Sequence, residues 1–321
     1  MSALGKLLYK YYFKPKGARS FLNKFGGEEN YQQMIAAEKN MKKYALNDLV
    51  IDSGFSDAGQ FKINFLTGDN FIHQTLFCTY SFFKFLTVEE SNNFCVNYYS
   101  DGTLSNCNVE ILKTKFPNIK VIDSNEMGKA MQENLPESRF PYLNKNVSKF
   151  PLFKKLVYPH IKTTGLSTFF DSDMLFYKRP KEFIDWLYSQ SLSGSEAFCI
   201  QDVKRSYGYR DSQILKAYPN PIINNLNSGM YSLYSESIDF NFVEKLIKDL
   251  ETRFGSNYLA EQLITAILLE KSLGVHIAPK SEYIVFPTKG QIESSSGTLH
   301  HYVDESKEGY FKYAWKQMIE S

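Results

Sequence analysis

The sequence has few cysteines, almost no net charge and no long apolar run among its 321 residues. Its four cysteines are widely spaced and form no CxxC pair, so they indicate neither a zinc site nor a disulfide framework: Cys78, Cys95, Cys107 and Cys199. A formal net charge of +2 gives no reason to expect a nucleic-acid partner. We therefore expect reduced thiols, a cytoplasmic protein and no binding of nucleic acid.

Membrane-spanning and secretory segments are also missing from the sequence. The most apolar stretch, from Asn70 to Leu86, is interrupted by polar and charged side chains. Near the N-terminus, Lys6 and Lys10 break the apolar residues before the core of a signal peptide can form. We expect no spanning helix.

The first 25 residues carry six basic side chains and no acidic one, interspersed with apolar residues: Lys6, Lys10, Lys14, Lys16, Arg19 and Lys24. Such a segment suits peripheral contact with the anionic inner face of a membrane. It equally suits a helix docked on the rest of the chain or on a partner. We predict that residues 1–60 form a basic helical arm and that residues 61–321 form the main domain.

Two aspartates in Asp171-Ser172-Asp173 follow an apolar, aromatic run and precede another. Residues two apart on an extended chain point to the same side, so both carboxylates can address one ligand. Hard divalent cations prefer oxygen ligands and often join one or two carboxylates to the phosphates of a substrate. The alternative is a turn with two solvated aspartates, but the apolar flanks favour a site at the edge of a buried sheet.

Apolar runs of strand length alternate with helical patterns through the first half of the chain. Strands are predicted at Ile63–Leu66, Phe94–Tyr99 and Ile119–Asp123, with helices between them. Strands that alternate with helices at this spacing indicate an α/β fold with a parallel sheet whose faces are covered by helices. Ligands of such sheets bind beyond the carboxyl ends of the strands. Loop residues at those ends are therefore candidates for contacts with a nucleotide: Thr67, Asp69 and Asp101.

Taken together, these features resemble the glycosyltransferases of the GT-A fold, in particular glycosyltransferase family 8 and related bacterial sugar transferases. The resemblance implies a Rossmann-like α/β fold with a mixed, mainly parallel sheet flanked by helices. The resemblance spans about residues 63–315 and rests on four features in the order of that family. These are the first βα unit, the Asp171-Ser172-Asp173 motif, the Asn227-Ser228-Gly229 segment, and a helix beginning near Glu261-Gln262 that a C-terminal histidine follows. Two motifs depart from the family pattern: the helix lacks a second acid, and the C-terminal His-x-x-Gly-x-x-Lys-Pro-Trp is present only in a loosened form.

The resemblance implies a metal-dependent transfer of a sugar from a nucleoside-diphosphate sugar, a UDP-sugar by expectation, to a hydroxyl of a glycan or glycolipid. Asp171, Asp173 and His301 would then hold Mn²⁺ or Mg²⁺. Glu261 is the candidate catalytic base, with Asp211 as a weaker one. The remaining expected contacts to the donor are Asn227, Gly229, Gln262 and Lys312. The helix that begins near Glu261-Gln262 carries an apolar stripe, and we predict that both of these residues face away from that stripe.

Two other functions share parts of this pattern. A nucleotidyltransferase would have a similar sheet and paired acids, but it usually carries a Gly-rich, Arg-containing loop after the first strand, and Leu66-Thr67-Gly68-Asp69-Asn70 has no arginine. A non-catalytic protein that binds nucleotide sugars is the other alternative. Release of free nucleoside diphosphate from a nucleotide sugar distinguishes among the three.

Overall fold

The computed structural model describes residues 14–50, 56, 59–193, 196–220 and 222–320. Its strands are β1 (Phe61–Thr67), β2 (Phe94–Ser100), β3 (Lys120–Ile122), β4 (Leu166–Phe170), β5 (Met174–Phe176), β6 (Glu196–Gln201), β7 (Leu226–Tyr234), β8 (Gly274–Ile277), β9 (Tyr283–Val285) and β10 (Leu299–His301). Its helices are α1 (Lys14–Lys24), α2 (Glu28–Asn47), α3 (Ile72–Lys84), α4 (Val88–Ser91), α5 (Asn106–Lys115), α6 (Ser124–Asn134), α7 (Pro141–Lys149), α8 (Leu152–Val157), α9 (Lys181–Ser193), α10 (Asp211–Ala217), α11 (Phe240–Phe254), α12 (Ala260–Glu270), α13 (Lys289–Ser294), α14 (Lys307–Gly309) and α15 (Trp315–Glu320), with a π-helical turn at Tyr310–Ala314.

Seven strands form the main sheet in the order β3-β2-β1-β4-β7-β6-β8. All of them run parallel except β7, which is antiparallel to both of its neighbours. The predicted α/β class with a mixed, mainly parallel sheet is confirmed. Because β1, β2 and β4 point the same way, their carboxyl ends lie at one edge of the sheet, where the start of β7 joins them.

The helices cover both faces of the main sheet, and two hydrophobic clusters fill the space between the layers. Helix α3 is buried along almost its whole length, and strand β2 is buried at every residue. Helix α11 shows the expected amphipathic spacing, since Val243, Leu246, Ile247 and Leu250 are buried on one side. Asp239 caps this helix by accepting a hydrogen bond from the backbone N–H of Asn241 at 2.9 Å.

A second, smaller sheet places β10 between β5 and β9. Strand β5 begins directly after the two aspartates, and its antiparallel pairing sets His301 opposite Met174. The backbone N–H of Tyr302 donates to the carbonyl of Asp173 at 2.8 Å, which extends this pairing. The small sheet therefore carries the C-terminal segment of the chain to the edge where the main sheet ends.

Within the first 60 residues the structure shows helices α1 and α2, and residues 1–13 lie outside the described part. Met34, Met41 and Ala45 of α2 belong to the same hydrophobic cluster as α3 and the C-terminal helices. The ring of Tyr44 packs on that of Trp315 with centroids 5.5 Å apart. Helix α2 thus shares the core of the residues that follow position 60.

Further findings concern the start of helix α13, membrane-spanning helices and the cysteines. A capping box begins α13: the Thr288 hydroxyl accepts from the Gln291 N–H, and the Gln291 side chain accepts from the Thr288 N–H. Among the described helices, none is both long and apolar enough to cross a membrane. No disulfide joins the four cysteines, all of which lie in the described part of the chain.

Candidate functional site

The two aspartates lie at the carboxyl end of β4, in the turn that leads to β5. The N–H of Asp171 donates to the carbonyl of Gly229 at 2.7 Å, which continues the pairing of β4 with β7. The hydroxyl of Ser172 points the other way and lies 2.8 Å from the hydroxyl of Thr75 on α3. The alternation of an extended chain therefore turns Asp171 and Asp173 toward the same side.

His301, at the end of β10, completes a cluster with the two aspartates. Its Nε2 lies 3.1 Å from Oδ1 of Asp173 and 3.8 Å from Oδ2 of Asp171. One ligand atom from each of the three side chains lies within 4.8 Å of the other two. Two carboxylates and one imidazole nitrogen form a donor set that fits a divalent cation.

Asn227 determines which nitrogen of the His301 ring faces the aspartates. Oδ1 of Asn227 accepts from the N–H of Gly229 at 3.0 Å, so this side of the amide must be the oxygen. The same oxygen lies 2.9 Å from Nδ1 of His301, and this nitrogen is therefore the donor. Nε2 is then the ring nitrogen that faces the two carboxylates, and it is the one that could bind a cation held between them.

Gly229 is required at its position by the closeness of the His301 ring. A Cβ atom there would lie 2.3 Å from Cε1 of His301 and 2.7 Å from Oδ1 of Asn227. Any side chain at this position would push His301 out of the cluster. Gly229 therefore shapes the site through the space that it leaves free.

Two lysines that the sequence analysis did not single out lie against the aspartates. Nζ of Lys155, on α8, is 3.3 Å from both carboxylate oxygens of Asp171 and 3.7 Å from Oε2 of Glu261. Nζ of Lys307 is 3.0 Å from Oδ2 of Asp173. One signal in the sequence marks Lys155 as a buried lysine, namely its apolar neighbours in Leu152-Phe153-Lys154-Lys155-Leu156-Val157. Lys307 has no comparable signal.

These contacts set the charges of the cluster. Burial would raise the pKa of Asp173, but the charges of Lys307 and His301 outweigh burial and hold that pKa well below its usual range. Burial lowers the pKa of Lys155, but the carboxylates of Asp171 and Glu261 more than offset this and raise it. The neighbouring charge of Asp173 is the main cause that raises the pKa of Lys307. Both lysines are therefore charged and Asp173 is ionised at neutral pH.

Glu261 is buried, which corrects the expectation that it faces away from the packed side of its helix. Every residue of α12 from Ala260 to Leu269 is buried, so this helix has no solvated face over that length. Oε2 of Glu261 accepts from the hydroxyl of Ser228 at 3.0 Å, and Oε1 accepts from that of Thr265 at 3.1 Å. Burial raises the pKa of Glu261 to about 7, against the opposing effect of Lys155. Gln262 is also buried, and its amide donates to the carbonyl of Ser206 at 3.3 Å.

The three loop residues expected to contact a nucleotide lie at the correct edge of the sheet but are used in different ways. Thr67 is buried, and its hydroxyl lies 2.7 Å from the hydroxyl of Thr75. The carboxylate of Asp69 accepts from the N–H of Ser105 at 2.8 Å and from Asn108 at 2.7 Å, so it ties two loops together. Asp101 alone of the three lines one of the cavities described next.

The remaining predicted residues lie elsewhere. Nζ of Lys312 donates to Oδ1 of Asn30 at 2.5 Å and to Glu308 at 3.1 Å, so it binds the N-terminal arm and not the aspartate cluster. Asp211 is exposed at the start of α10, where it pairs with Arg205 at 3.2 Å. The structure thus brings together Asp171, Asp173, His301, Asn227, Gly229, Glu261 and Gln262, and it leaves Lys312 and Asp211 outside the cluster.

Two cavities meet at Asp171, Lys155 and Leu152. The smaller one, of about 290 Å³, extends along the ends of β1 and β2 past Leu66, Phe71, Gln74 and Asp101. The larger one, of about 720 Å³, extends to the other side and includes Asp202, Asn227, Glu261 and His301. The cluster of acids and lysines therefore lies between the two cavities. A group that assists transfer between two ligands would occupy such a position.

No protein-family model matches the sequence, and no match was found among curated proteins. Solved structures similar to the chain include apo mouse xyloside xylosyltransferase 1, with 11% identity over 75% of this chain and 96% of that one and a TM-score of 0.49. They also include the galactosyltransferase LgtC with donor and acceptor sugar analogues (10% identity, 81% and 94% coverage, TM-score 0.46) and the mannosyltransferase Ktr4p of S. cerevisiae with GDP (10% identity, 74% and 75% coverage, TM-score 0.43). All three are glycosyltransferases, the class that the sequence resembles, and all three TM-scores lie below 0.5. The function of this chain is therefore inferred from its own residues.

Proposed function

We propose that this protein is a metal-dependent glycosyltransferase that moves a sugar from a nucleoside-diphosphate sugar to a hydroxyl of a glycan or glycolipid acceptor. The observation that carries the proposal is the cluster of Asp171, Asp173 and His301, which stands between two cavities at the carboxyl end of β4. Paired carboxylates at this edge suit a diphosphate that must be neutralised as it leaves. The donor in this proposal is a UDP-sugar.

The cluster fits Mn²⁺ or Mg²⁺, and the imidazole nitrogen favours Mn²⁺. Asp171, Asp173 and Nε2 of His301 would hold the ion. Asn227 accepts a hydrogen bond from Nδ1 of the ring, so Nε2 is the nitrogen left for the ion. When bound, the cation would supply Lewis-acid stabilisation of charge on the departing nucleoside diphosphate.

The charges of the cluster favour joint binding of cation and donor. Lys155 and Lys307 balance Asp171 and Asp173, so the site by itself is close to neutral. A divalent cation alone would leave an excess of positive charge in a largely buried site, and a diphosphate alone would leave an excess of negative charge. Both together restore the balance, and so each should strengthen the binding of the other.

The chain's own residues have distinct roles in this proposal. The smaller cavity would receive the nucleotide, since it runs along the ends of β1 and β2 and includes Asp101. The larger one would receive the sugar and the acceptor hydroxyl, near Asn227 and Glu261. With a pKa of about 7, Glu261 can accept a proton at neutral pH. Lys155 and Lys307 would act as point charges toward the phosphates.

We predict that UDP-sugars with Mn²⁺ raise the melting temperature of the protein more than either does alone, and that free UDP is released in the presence of Mn²⁺ and stops being released in EDTA. A panel of UDP-sugars, assayed by thermal shift and by UDP detection, tests both statements. Stabilisation without release of UDP from any sugar would identify a non-catalytic binding protein. Release of pyrophosphate from a nucleoside triphosphate would identify a nucleotidyltransferase.

The two adjacent histidines of β10 offer a matched pair for testing the metal ligands. His301→Ala should weaken Mn²⁺ binding in the presence of UDP at least about tenfold, since even a residue that only supports a ligand costs about that much when lost. His300 faces the other way: its ring bonds to the carbonyl of Ser296 at 2.6 Å and lies 3.2 Å from the Tyr302 hydroxyl. His300→Ala should therefore lower stability and leave Mn²⁺ affinity unchanged. Calorimetric titration and urea unfolding of both variants measure the difference, and equal Mn²⁺ affinities in the two would contradict the assignment.

A further inference from the structure

Two further cavities flank helix α10, outside the cluster of Asp171, Asp173 and His301. A cavity of about 890 Å³ at the N-terminal end of α10 is lined by residues 204–211, Gln213 and Leu259. A groove of about 610 Å³ at its C-terminal end is lined by Lys216 and Ala217 of α10 and by residues of α11 from Phe242 to Arg253. Helix α10 is the wall between them, and we call the two together the α10 face.

The α10 face is strongly basic. The charged side chains that line its two cavities are seven cations and two acids: Lys204, Arg205, Arg210, Lys216, Lys245, Lys248 and Arg253, with Asp211 and Asp249. Both acids are paired, Asp211 with Arg205 at 3.2 Å and Asp249 with Arg253 at 2.7 Å. This surface therefore carries a net charge of +5 in a chain whose formal net charge is +2.

Exposed aliphatic side chains stand among these cations. Leu215, in the middle of α10, is 58% exposed, and Val203, beside Lys204, is 57% exposed. Leaving two aliphatic side chains exposed to water beside several cations does not stabilise the folded protein. The combination of basic and exposed aliphatic residues is typical of a surface that binds anionic lipid headgroups and inserts apolar groups between them.

The aromatic residues of the same face are not available for stacking on nucleic-acid bases. Tyr207 is buried, and the hydroxyl of Tyr209 donates to the carbonyl of Gly255 at 2.9 Å. The ring of Phe242 is covered by Nζ of Lys271, 3.9 Å from its centroid. Sequence-tolerant binding of single strands relies on exposed aromatic platforms, so the face suits a lipid surface better than a nucleic acid.

We propose that the α10 face docks the protein on an anionic membrane surface. Lys204, Ser206 and Leu259 line both its 890 Å³ cavity and the larger cavity of the aspartate cluster. Docking by this face would therefore bring the entrance of that larger cavity close to the headgroups. None of the residues that line the two cavities of the α10 face belongs to the first 60 residues of the chain.

Co-sedimentation of the full chain with vesicles of phosphatidylglycerol and phosphatidylcholine tests the proposal, with pure phosphatidylcholine vesicles as the neutral reference. Lys245→Gln/Lys248→Gln removes two exposed charges from α11. Each lysine near an anionic surface contributes about 1 kcal/mol, so the pair should weaken binding about 30-fold. Leu215→Ser should weaken it about tenfold by removing an apolar contact with the bilayer.

Two control variants change the charge equally at other places. Lys113→Gln/Lys129→Gln alters exposed residues of α5 and α6, and Lys6→Gln/Lys10→Gln alters the arm. Both should bind anionic vesicles within about twofold of the wild type. The proposal is overturned if the arm variant loses binding and the Lys245/Lys248 variant does not. It is also overturned if the wild type does not bind vesicles but binds soluble polyphosphate, because the face would then take a soluble polyanion. The same conclusion follows if Leu215→Ser binds vesicles as well as the wild type does.

Discussion

Asp171→Asn and Asp173→Asn should each abolish Mn²⁺-dependent release of UDP while the protein stays folded. Each change replaces a charged oxygen ligand by a neutral amide within the cluster that includes His301. A cation at such a site contributes several kcal/mol to the stabilisation of a leaving group, so we expect a loss of about a thousandfold in kcat/KM. The measurement is initial rates of UDP release at saturating Mn²⁺, with circular dichroism and urea unfolding to confirm the fold.

A matched control separates this effect from a general one. Asp185→Asn makes the same chemical change on helix α9, where the carboxylate is exposed and pairs with Lys181. It should retain the rate of the wild type. If either Asp171→Asn or Asp173→Asn keeps the wild-type rate at saturating Mn²⁺, the cluster is not the site of transfer.

Lys155→Met should be the most destabilising change in the site. Lys155 is 3% exposed, and its ammonium group lies against two carboxylates and donates to the carbonyl of Ser228 at 3.2 Å. Removing one partner of a buried ion pair costs about 3–5 kcal/mol because the remaining charge has no compensation. For a chain of this size, such a loss lowers the melting temperature by about 4–7 °C. Urea and thermal unfolding measure it.

The destabilisation should depend on pH through Glu261. Without Lys155, the pKa of Glu261 in the folded protein rises further above its ordinary value of 4.5, so the folded state holds a proton that the unfolded state has lost. Stability is then fully present below about pH 4.5 and is lost as the pH rises through the folded pKa. The variant should therefore be least impaired near pH 5 and most impaired near pH 8.

Two further variants make this test specific. Glu261→Gln in the Lys155→Met background removes one uncompensated carboxylate and should restore part of the stability at pH 8. Lys154→Met changes the adjacent lysine, which donates one hydrogen bond to the carbonyl of Asp101 at 2.5 Å, and it should cost much less. Similar losses from Lys154→Met and Lys155→Met would show that the buried charges do not control the stability of this region.

The membership of the cluster was only partly visible in the sequence. Asp171 and Asp173 could be identified because they are two residues apart on an extended segment, and that spacing alone turns them to one side. Lys155 and Lys307 could not, because nothing in their local sequence places them near either aspartate. Lys312 was expected to contact the donor because it resembles the lysine of the family's C-terminal motif. The structure places it against Asn30, and Lys307 faces Asp173.

The burial of Glu261 shows a second limit of sequence patterns. An apolar stripe on a helix predicts one packed face, and a glutamate off that stripe is then expected in water. Helix α12 is surrounded by neighbours, so its off-stripe residues are buried too. Only this packing raises the pKa of Glu261 to about 7 and makes it a candidate proton acceptor at neutral pH.

The sequence by itself determined the alternation of strands and helices, the mainly parallel sheet and the pair of aspartates at the end of β4. These features depend on how often apolar residues recur along the chain, every second residue in a strand and every three to four residues in a helix. Residues that are close in the sequence set this pattern by themselves. The tertiary structure decided which histidine meets the aspartates and which lysines neutralise them. His301 reaches Asp173 across 128 residues because β10 pairs with β5 in one register, and a shift of one residue would have turned His300 to the site instead.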